Sequence, residues 1–325
     1  MEIGKIPIEI LNKHVFESKI TRDDVLLGPD IGEDSAAVDI KGDIAVITTD
    51  PITATSYMAG YLSVVVVCND LAAAGAEPVG VLSTILMPPE STQDEFVQIL
   101  REIKEACRRF NVQLLGGHSE VSPVVTKPLI VSTGFGRVQK DLLISTKGAK
   151  AGDKIIITKT LGIEGTLILY NKEKEKLREV LTPQEITEIE DYINRLSVIE
   201  EGLIARKYAT SMHDITEGGL FGAIYEVCKA SKKGAKIYED KIVLSSSVKK
   251  VSSFFNLDLY RLISSGSMLI TTNKEDILIS ELKGKGIECC IIGEIVEDPK
   301  IEFVSSNGKS ILIDNFPVDE IYKVV

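Results

Sequence analysis

The chain has five cysteines, and no two of them form a Cys-x-x-Cys pair. That spacing argues against a disulfide framework and fits reduced thiols. There are only three histidines, and none joins a cysteine at zinc-site spacing. Positive charge is also in deficit: 37 Lys and Arg stand against 48 Asp and Glu, a net charge of −11. This argues against a general nucleic-acid surface, which needs clustered basic residues. No apolar run reaches the ~20 residues of a membrane-spanning helix. The N-terminus lacks the charged and apolar pattern of a signal peptide, so a cytoplasmic protein is expected. Neither Gly-x-x-x-x-Gly-Lys-Ser/Thr nor a Gly-x-Gly-x-x-Gly after a strand occurs, which removes two common phosphate-binding loops. No repeat of 20–50 residues and no low-complexity segment is present.

What the sequence does hold is an ordinary globular composition, 44% hydrophobic and 26% charged. Its 325 residues suggest two domains. The β-branched run Ile44 to Thr49 predicts a strand, ended by Asp50-Pro51. Residues 57–75, rich in Val and Ala, predict a buried helix. A strand over 80–87 is closed by Pro88-Pro89. An amphipathic helix follows, capped by Ser91 or Thr92, with Phe96, Ile99, Leu100, Ile103 and Ala106 at helical spacing. Strands are predicted at Val112 to Leu115, running into Gly116-Gly117, and at Leu129 to Val138. The small, charged Lys147–Asp153 segment marks the boundary, giving domains 1–147 and 148–325. The second half predicts a strand from Lys154 to Thr158 and charged helices over about 164–208, with a start at Thr182-Pro183-Gln184-Glu185. It also predicts a helix from Glu217 to Ser231, strands near 267–272, 287–296 and 301–304, and a helix near 274–284. Irregular alternation of strands and helices makes the fold class α+β (α/β), in two domains.

The informative residues are acidic. Asp34 lies in Gly32-Glu33-Asp34-Ser35-Ala36-Ala37, Asp50 follows Thr48-Thr49, and Asp70 follows Asn69 in Asn69-Asp70-Leu71-Ala72-Ala73-Ala74-Gly75-Ala76. Asp214 lies in Asp214-Ile215-Thr216-Glu217-Gly218-Gly219, and a fifth polar cluster is Gly116-Gly117-His118-Ser119-Glu120. Each aspartate alone is ordinary turn or cap chemistry. Together, beside small residues that allow close approach of a ligand, they point to a shared site. Asp70 follows an apolar helical run, where a carboxylate needs a partner. Hard carboxylate oxygens suit Mg²⁺, which takes one or two of them plus substrate phosphates. Gly162-Ile163-Glu164-Gly165-Thr166 opens a helix whose amides could meet a phosphate, or could simply start the helix.

These five motifs, in this order, resemble the superfamily of aminoimidazole ribonucleotide (AIR) synthetase, selenophosphate synthetase, thiamine-monophosphate kinase and the hydrogenase maturation protein HypE, with HypE-type proteins the nearest. The resemblance implies an AIR synthetase-like fold of two α/β domains. It implies a homodimer in which N-terminal strands pair into a β-barrel, and ATP and Mg²⁺ as cofactors. Carried over by position, Asp34, Asp50, Asp70 and Asp214 are metal ligands. Asn69, Gly116, Gly117, Thr216 and Gly218 bind the nucleotide. Asp70, His118 and Glu120 are catalytic. His118 stands where several members carry Asp, and Glu120 could replace that carboxylate. The implied chemistry is transfer of the ATP γ-phosphoryl group to a small carbonyl or amide-type acceptor, or to one delivered by a maturation protein.

Two departures separate the chain from HypE's own reaction, dehydration of a thiocarboxamide on a C-terminal cysteine. The sequence ends Tyr322-Lys323-Val324-Val325, without cysteine. Ser264-Ser265-Gly266-Ser267 stands where HypE has Asn-Glu-Gly. Selenophosphate synthetase is disfavoured because no cysteine precedes Cys68. The expected function is therefore a HypE-like phosphoryl-transfer enzyme with a different acceptor. The alternatives are a non-catalytic nucleotide-binding accessory protein for a metalloenzyme maturation partner and an acidic scaffold.

Overall fold

The computed structural model describes residues 4–5, 13, 20–27, 37–38, 40–53, 55 and 57–324. It divides into two compact units, one of residues 1–71 and 76–141, the other of residues 72–75 and 142–325. The division after Asp141 falls upstream of the Lys147–Asp153 segment.

The strands of the first unit are β1 (Gly4–Lys5), β2 (Val25–Leu27), β3 (Ala37–Val38), β4 (Ile44–Ile52), β5 (Glu77–Met87), β6 (Gln113–Val121) and β7 (Leu129–Val138). Five of them form one sheet in the order β1-β6-β5-β7-β4, while β2 and β3 pair as a separate ribbon. Within the sheet only β5 and β6 run parallel; the other pairs are antiparallel.

Helix α1 (Ala59–Ala73) has no strong polar face, and it is buried along most of its length. Helix α2 (Gln93–Arg109) is amphipathic and starts with a complete capping box: Thr92 accepts from the Glu95 amide, and Glu95 accepts from the Thr92 amide. Its apolar stripe, Phe96, Ile99, Leu100, Ile103 and Ala106, is buried as predicted. The two helices meet at Gly60, whose amide donates to the buried Glu102 carboxylate at 3.1 Å. A methyl group on Gly60 would lie 2.4 Å from the Ile99 carbonyl oxygen, so only glycine permits this approach.

Two expected strand ends are instead strand interiors. β4 continues through Asp50-Pro51 to Ile52. Proline is tolerated there because β4 is an edge strand with one neighbour. Likewise, Gly116 to Glu120 is not a turn but the middle of β6. Leu115 is the extra residue of a bulge, since Val81 pairs with Leu114 and Leu82 with Gly116.

In chain order the second unit runs β8 (Lys154–Thr158), α3 (Ile163–Lys172), α4 (Lys174–Arg178), α5 (Pro183–Asp191), α6 (Ile199–Ala205), β9 (Ser211–Asp214) and α7 (Gly219–Ser231). β10 (Gly234–Tyr238), α8 (Ser246–Phe254), β11 (Met268–Thr272), α9 (Glu275–Gly284), β12 (Cys289–Val296), β13 (Ile301–Val304) and β14 (Ser310–Leu312) complete it. Its strands form a seven-stranded sheet in the order β14-β13-β10-β12-β8-β11-β9.

This sheet is covered on both faces, which explains the continuous apolar runs of its central strands. Ile155 and Ile157 enter a cluster with Leu220, Phe221 and Ile224 of α7. Ile156, between them, enters the opposite cluster with Leu278 and Leu282 of α9. Burying one such isoleucine stabilises the fold by roughly 1.5–3 kcal/mol. Mixed α/β layering in two units agrees with the fold class read from the sequence.

Candidate functional site

Each unit holds part of the predicted constellation. In the first, the sheet pleat sorts the residues by face. Gly134 of β7 lies against α1: a methyl group there would sit 3.0 Å from Val67 Cβ and 3.2 Å from Leu71 Cδ1. Thr48 is paired with Gly134, so it shares the helix-covered face. From there its Oγ1 donates to Asp70 Oδ2 of α1 at 2.6 Å. Asp50, two residues along β4, points to the same side. Asp50, Ser132, Ser83 and Gly117 form one row across four strands. The Ser83 and Ser132 hydroxyls meet at 2.9 Å inside it.

Gly117 ends that row with bare backbone. A methyl group there would lie 1.9 Å from the Ser83 carbonyl oxygen, and φ is +145°. Both facts require glycine. Burial within the helix falls on Asn69, which has no exposed surface, while Asp70 is half-buried. Asp70 has the partner expected of it, in Thr48, and full burial falls on the neighbouring Asn69. The Cys68 thiol beside it is held well above its ordinary range by burial, with Cys107 and Asp70 adding to the effect.

His118 and Glu120 do not join this group. His118 pairs with Thr84, and Thr84 with Val131, a row on the opposite face. His118 Nε2 lies 3.3 Å from Glu120 Oε2 on that open face. The pleat thus places the thickness of the sheet between Glu120 and Asp70, which separates residues the sequence grouped. Asp34 lies outside the described residues, as do Gly32 to Ala36.

In the second unit, Asp214 is buried at the end of β9, where it pairs with Met268 of β11. His213 Nδ1 contacts the Asp214 carbonyl oxygen at 2.7 Å, and Nε2 contacts Glu226 Oε2 at 2.9 Å. Burial opposes charge on this imidazole, but Glu226 and Asp214 outweigh it and raise the group to about 9. Both ring nitrogens then act as donors. After Asp214 the chain turns through Thr216 to Gly219, and the Gly219 amide donates to the Thr216 carbonyl at 3.0 Å. The Gly218 amide, predicted to meet the nucleotide, donates instead to Asp319 Oδ2 at 2.6 Å.

The start of α3 is also committed internally. The Gly162 amide donates to Ser264 Oγ at 2.8 Å, Gly165 to the Ile263 carbonyl at 3.1 Å and Thr166 to the Gly162 carbonyl at 2.9 Å. This is a helix start docked on a loop, not an open phosphate cradle. Glu164, in its first turn, is 4% exposed, and its Oε2 has no hydrogen-bond partner among the described residues. Burial pushes its carboxyl up to about 7; Asp319 and Asp214 push the same way and neighbouring Ser265 opposes them. Glu164 and Asp319 are the acidic residues that sequence reading missed here. A carboxylate inside the small-residue run Gly162–Thr166 was the available signal for the first. Asp319 carried none.

Among the described residues, no three His, Cys, Asp or Glu side chains converge closely enough to form a metal cage. The donor set of the first unit nonetheless fits Mg²⁺. Asp50 and Asp70 supply hard oxygens on one face beside bare backbone, and Mg²⁺ needs few protein ligands when phosphates supply the rest.

Residues 32–138 match the N-terminal domain model, and residues 150–306 the C-terminal domain model, of the AIR synthase related proteins. The chain belongs to this family. A Methanocaldococcus jannaschii protein, provisionally named as a hydrogenase expression/formation protein, is 28% identical over 309 residues, covering 91% of this chain and 90% of its own. The crystal structure of Escherichia coli HypE, a hydrogenase maturation protein, superposes with a TM-score of 0.80 at 20% identity, covering 97% of this chain and 99% of that one. A HypE structure in complex with ATP superposes with a TM-score of 0.75 at 19% identity, covering 95% of both chains. No helix among the described residues is long and apolar enough to cross a membrane.

Proposed function

We propose that this protein is an ATP- and Mg²⁺-dependent enzyme that transfers the ATP γ-phosphoryl group to a small carbonyl or amide-type acceptor. It is HypE-like in fold, and Ser264–Ser267, standing where HypE has Asn-Glu-Gly, favours an acceptor other than HypE's. The observation that carries this reading is the Thr48–Asp70 pair, with Asp50 on the same face and Gly117 exposing backbone in Asp50's row. Asp50 and Asp70, with Asp34, are the residues proposed to hold Mg²⁺ in the first unit, and Asp214 is proposed as a Mg²⁺ ligand of the second unit in its own right. Bound there, Mg²⁺ would neutralise phosphate charge. The rest of the work falls to the chain, which positions reactants and excludes water.

Thr48 holds Asp70 in a fixed rotamer, so its oxygens need no rearrangement when ligand arrives. Asn69 anchors the same helical turn in the core. Gly116 and Gly117 let a phosphate approach the backbone without side-chain obstruction. Thr216 is proposed as a nucleotide contact of the second unit, beside Asp214. Its neighbour Gly218 serves the turn rather than the nucleotide. His118 and Glu120, on the open face, are assigned to the surface that a second copy of the chain covers in a homodimer and not to the catalytic group. The five thiols are all buried or half-buried, and none is used as a carrier.

The test is ATP turnover by the full chain with and without Mg²⁺, and by Asp70→Asn. Turnover should require Mg²⁺ and fall roughly 100-fold in the variant, the scale seen when a preorganised electrostatic group is lost. Undiminished turnover in Asp70→Asn would remove the metal assignment.

A further inference from the structure

The Asp214–Gly219 turn is completed by residues about a hundred positions away. Gly218 and Gly219 are both left-handed, at φ +80° and +60°. Glycine enters this region without steric penalty but with no preference for it, so contacts from elsewhere decide whether the turn is fixed. Gly218 receives such a contact from Asp319: Oδ2 accepts the Gly218 amide at 2.6 Å while Oδ1 accepts the Ile321 amide at 2.8 Å. Asp319 is 2% exposed, and the Ile321 side chain behind it is buried.

The surrounding segment grips the same turn at other points. A methyl group added to Gly218 would meet Phe316 and Pro317 at 3.2 Å, and one added to Gly222 would meet Phe316 at 3.3 Å. The Phe316 ring stands edge-on to Tyr225 of α7, 6.2 Å between centroids. Burial raises the Tyr322 phenol, and Glu217 beside it pushes the same way. Glu320 accepts the Asp258 amide at 3.2 Å and ties the far end down. A carboxylate seated on the N-cap amide just before α7 takes the place an external anion would occupy. This anion is internal, and both its oxygens are used.

We propose that Asp319 is a positioning residue of the site: it fixes the turn that carries Asp214 and Thr216, and residues 316–323 are part of that site's construction. The inference rests on the reading of Asp214 given under Proposed function. It requires an acceptor oxygen at residue 319 rather than a negative charge alone. Asparagine supplies only one acceptor oxygen and turns a donor on the other amide, so it replaces Asp319 in part; alanine and serine replace neither contact.

The test uses hydrogen exchange of the Gly218 amide and Mg²⁺ titration of ATP turnover, both on the full chain. In the parent, the Gly218 amide should be protected. In Asp319→Ala it should exchange at least tenfold faster, with Asp319→Asn, which keeps one of the two acceptor oxygens, between that variant and the parent. The Mg²⁺ concentration for half-maximal turnover should rise about tenfold in Asp319→Ala at unchanged melting behaviour of the sheet amides, and return only in part with Asp319→Asn. Asp319→Ser replaces the alanine variant if that one does not fold. Unprotected Gly218 in the parent, or a parental Mg²⁺ requirement in Asp319→Ala or Asp319→Ser, overturns the inference. A parent that neither binds nor turns over Mg-ATP overturns the functional reading instead, while the exchange data still decide whether Asp319 holds the turn.

Discussion

The Thr48 hydroxyl points at the Asp70 carboxylate across the strand–helix interface, 2.6 Å from oxygen to oxygen. This hydrogen bond to a charged acceptor joins an edge strand to the helix above it, and such bonds contribute about 1.5–3 kcal/mol. Thr48→Val keeps the shape and deletes the donor. It should lower stability in urea by about 1.5 kcal/mol and, on the proposed assignment, lower ATP turnover about tenfold. Thr48→Ser should restore most of both. Equal turnover in the valine and serine variants would detach Thr48 from the site.

Gly117 should tolerate no side chain. Alanine there places a methyl group 1.9 Å from the Ser83 carbonyl oxygen, in a backbone conformation at φ +145°. A clash with backbone cannot be relieved by rotating a side chain, so the loss should exceed about 3 kcal/mol. Gly152 is the control. Its φ is also positive, +95°, but nothing lies within 4 Å of an added methyl group. Gly152→Ala should cost only the conformational strain, about 1–2 kcal/mol. Thermal or urea melts of the two variants, side by side, decide the point.

Glu164 should make stability fall as pH rises. Its folded carboxyl titrates at about 7 against an ordinary 4.5. Between those values the folded chain holds a proton that the unfolded chain has released. The group's stabilisation is complete below about pH 4.5 and is lost as pH climbs through 7, a change of ~3 kcal/mol. Glu164→Gln, a neutral mimic of the protonated form, removes this dependence. The melting temperature of the variant relative to the parent should increase from pH 4.5 to pH 8; a constant difference would show that Glu164 titrates normally.

The open face of the five-stranded sheet predicts self-association. Ile47 is 67% exposed on β4, alternating with half-buried neighbours. If a second copy covers this face, Ile47→Glu should shift the mass found by light scattering from dimer to monomer. A parent that is already monomeric at micromolar concentration would remove the proposed dimer.

Much of this was legible in the sequence where one periodicity dominated. The α2 stripe with its cap at Ser91 or Thr92, the β7 strand, and the apolar β8 and β11 strands all follow local rules that tertiary contacts reinforce. Strand limits were harder to read. Asp50-Pro51 and Gly116-Gly117 carry breaker residues inside strands, because an edge position tolerates proline and a bulge needs glycine. The short β9 and β10 and the serine-rich α8 lack a strong period, so they passed unseen. At the site, residue identities were readable but facing was not. Only the register distinguishes Asp50 from His118, since a pairing shifted by one residue exchanges the two faces. Asp319 could not have been found locally, because its partner is 101 residues away.

That separation also orders events in time. Units made early in synthesis fold first, yet the Gly218 turn waits for an oxygen carried on Asp319. A nascent chain would hold the Thr48–Asp70 pair well before the second unit's turn was locked.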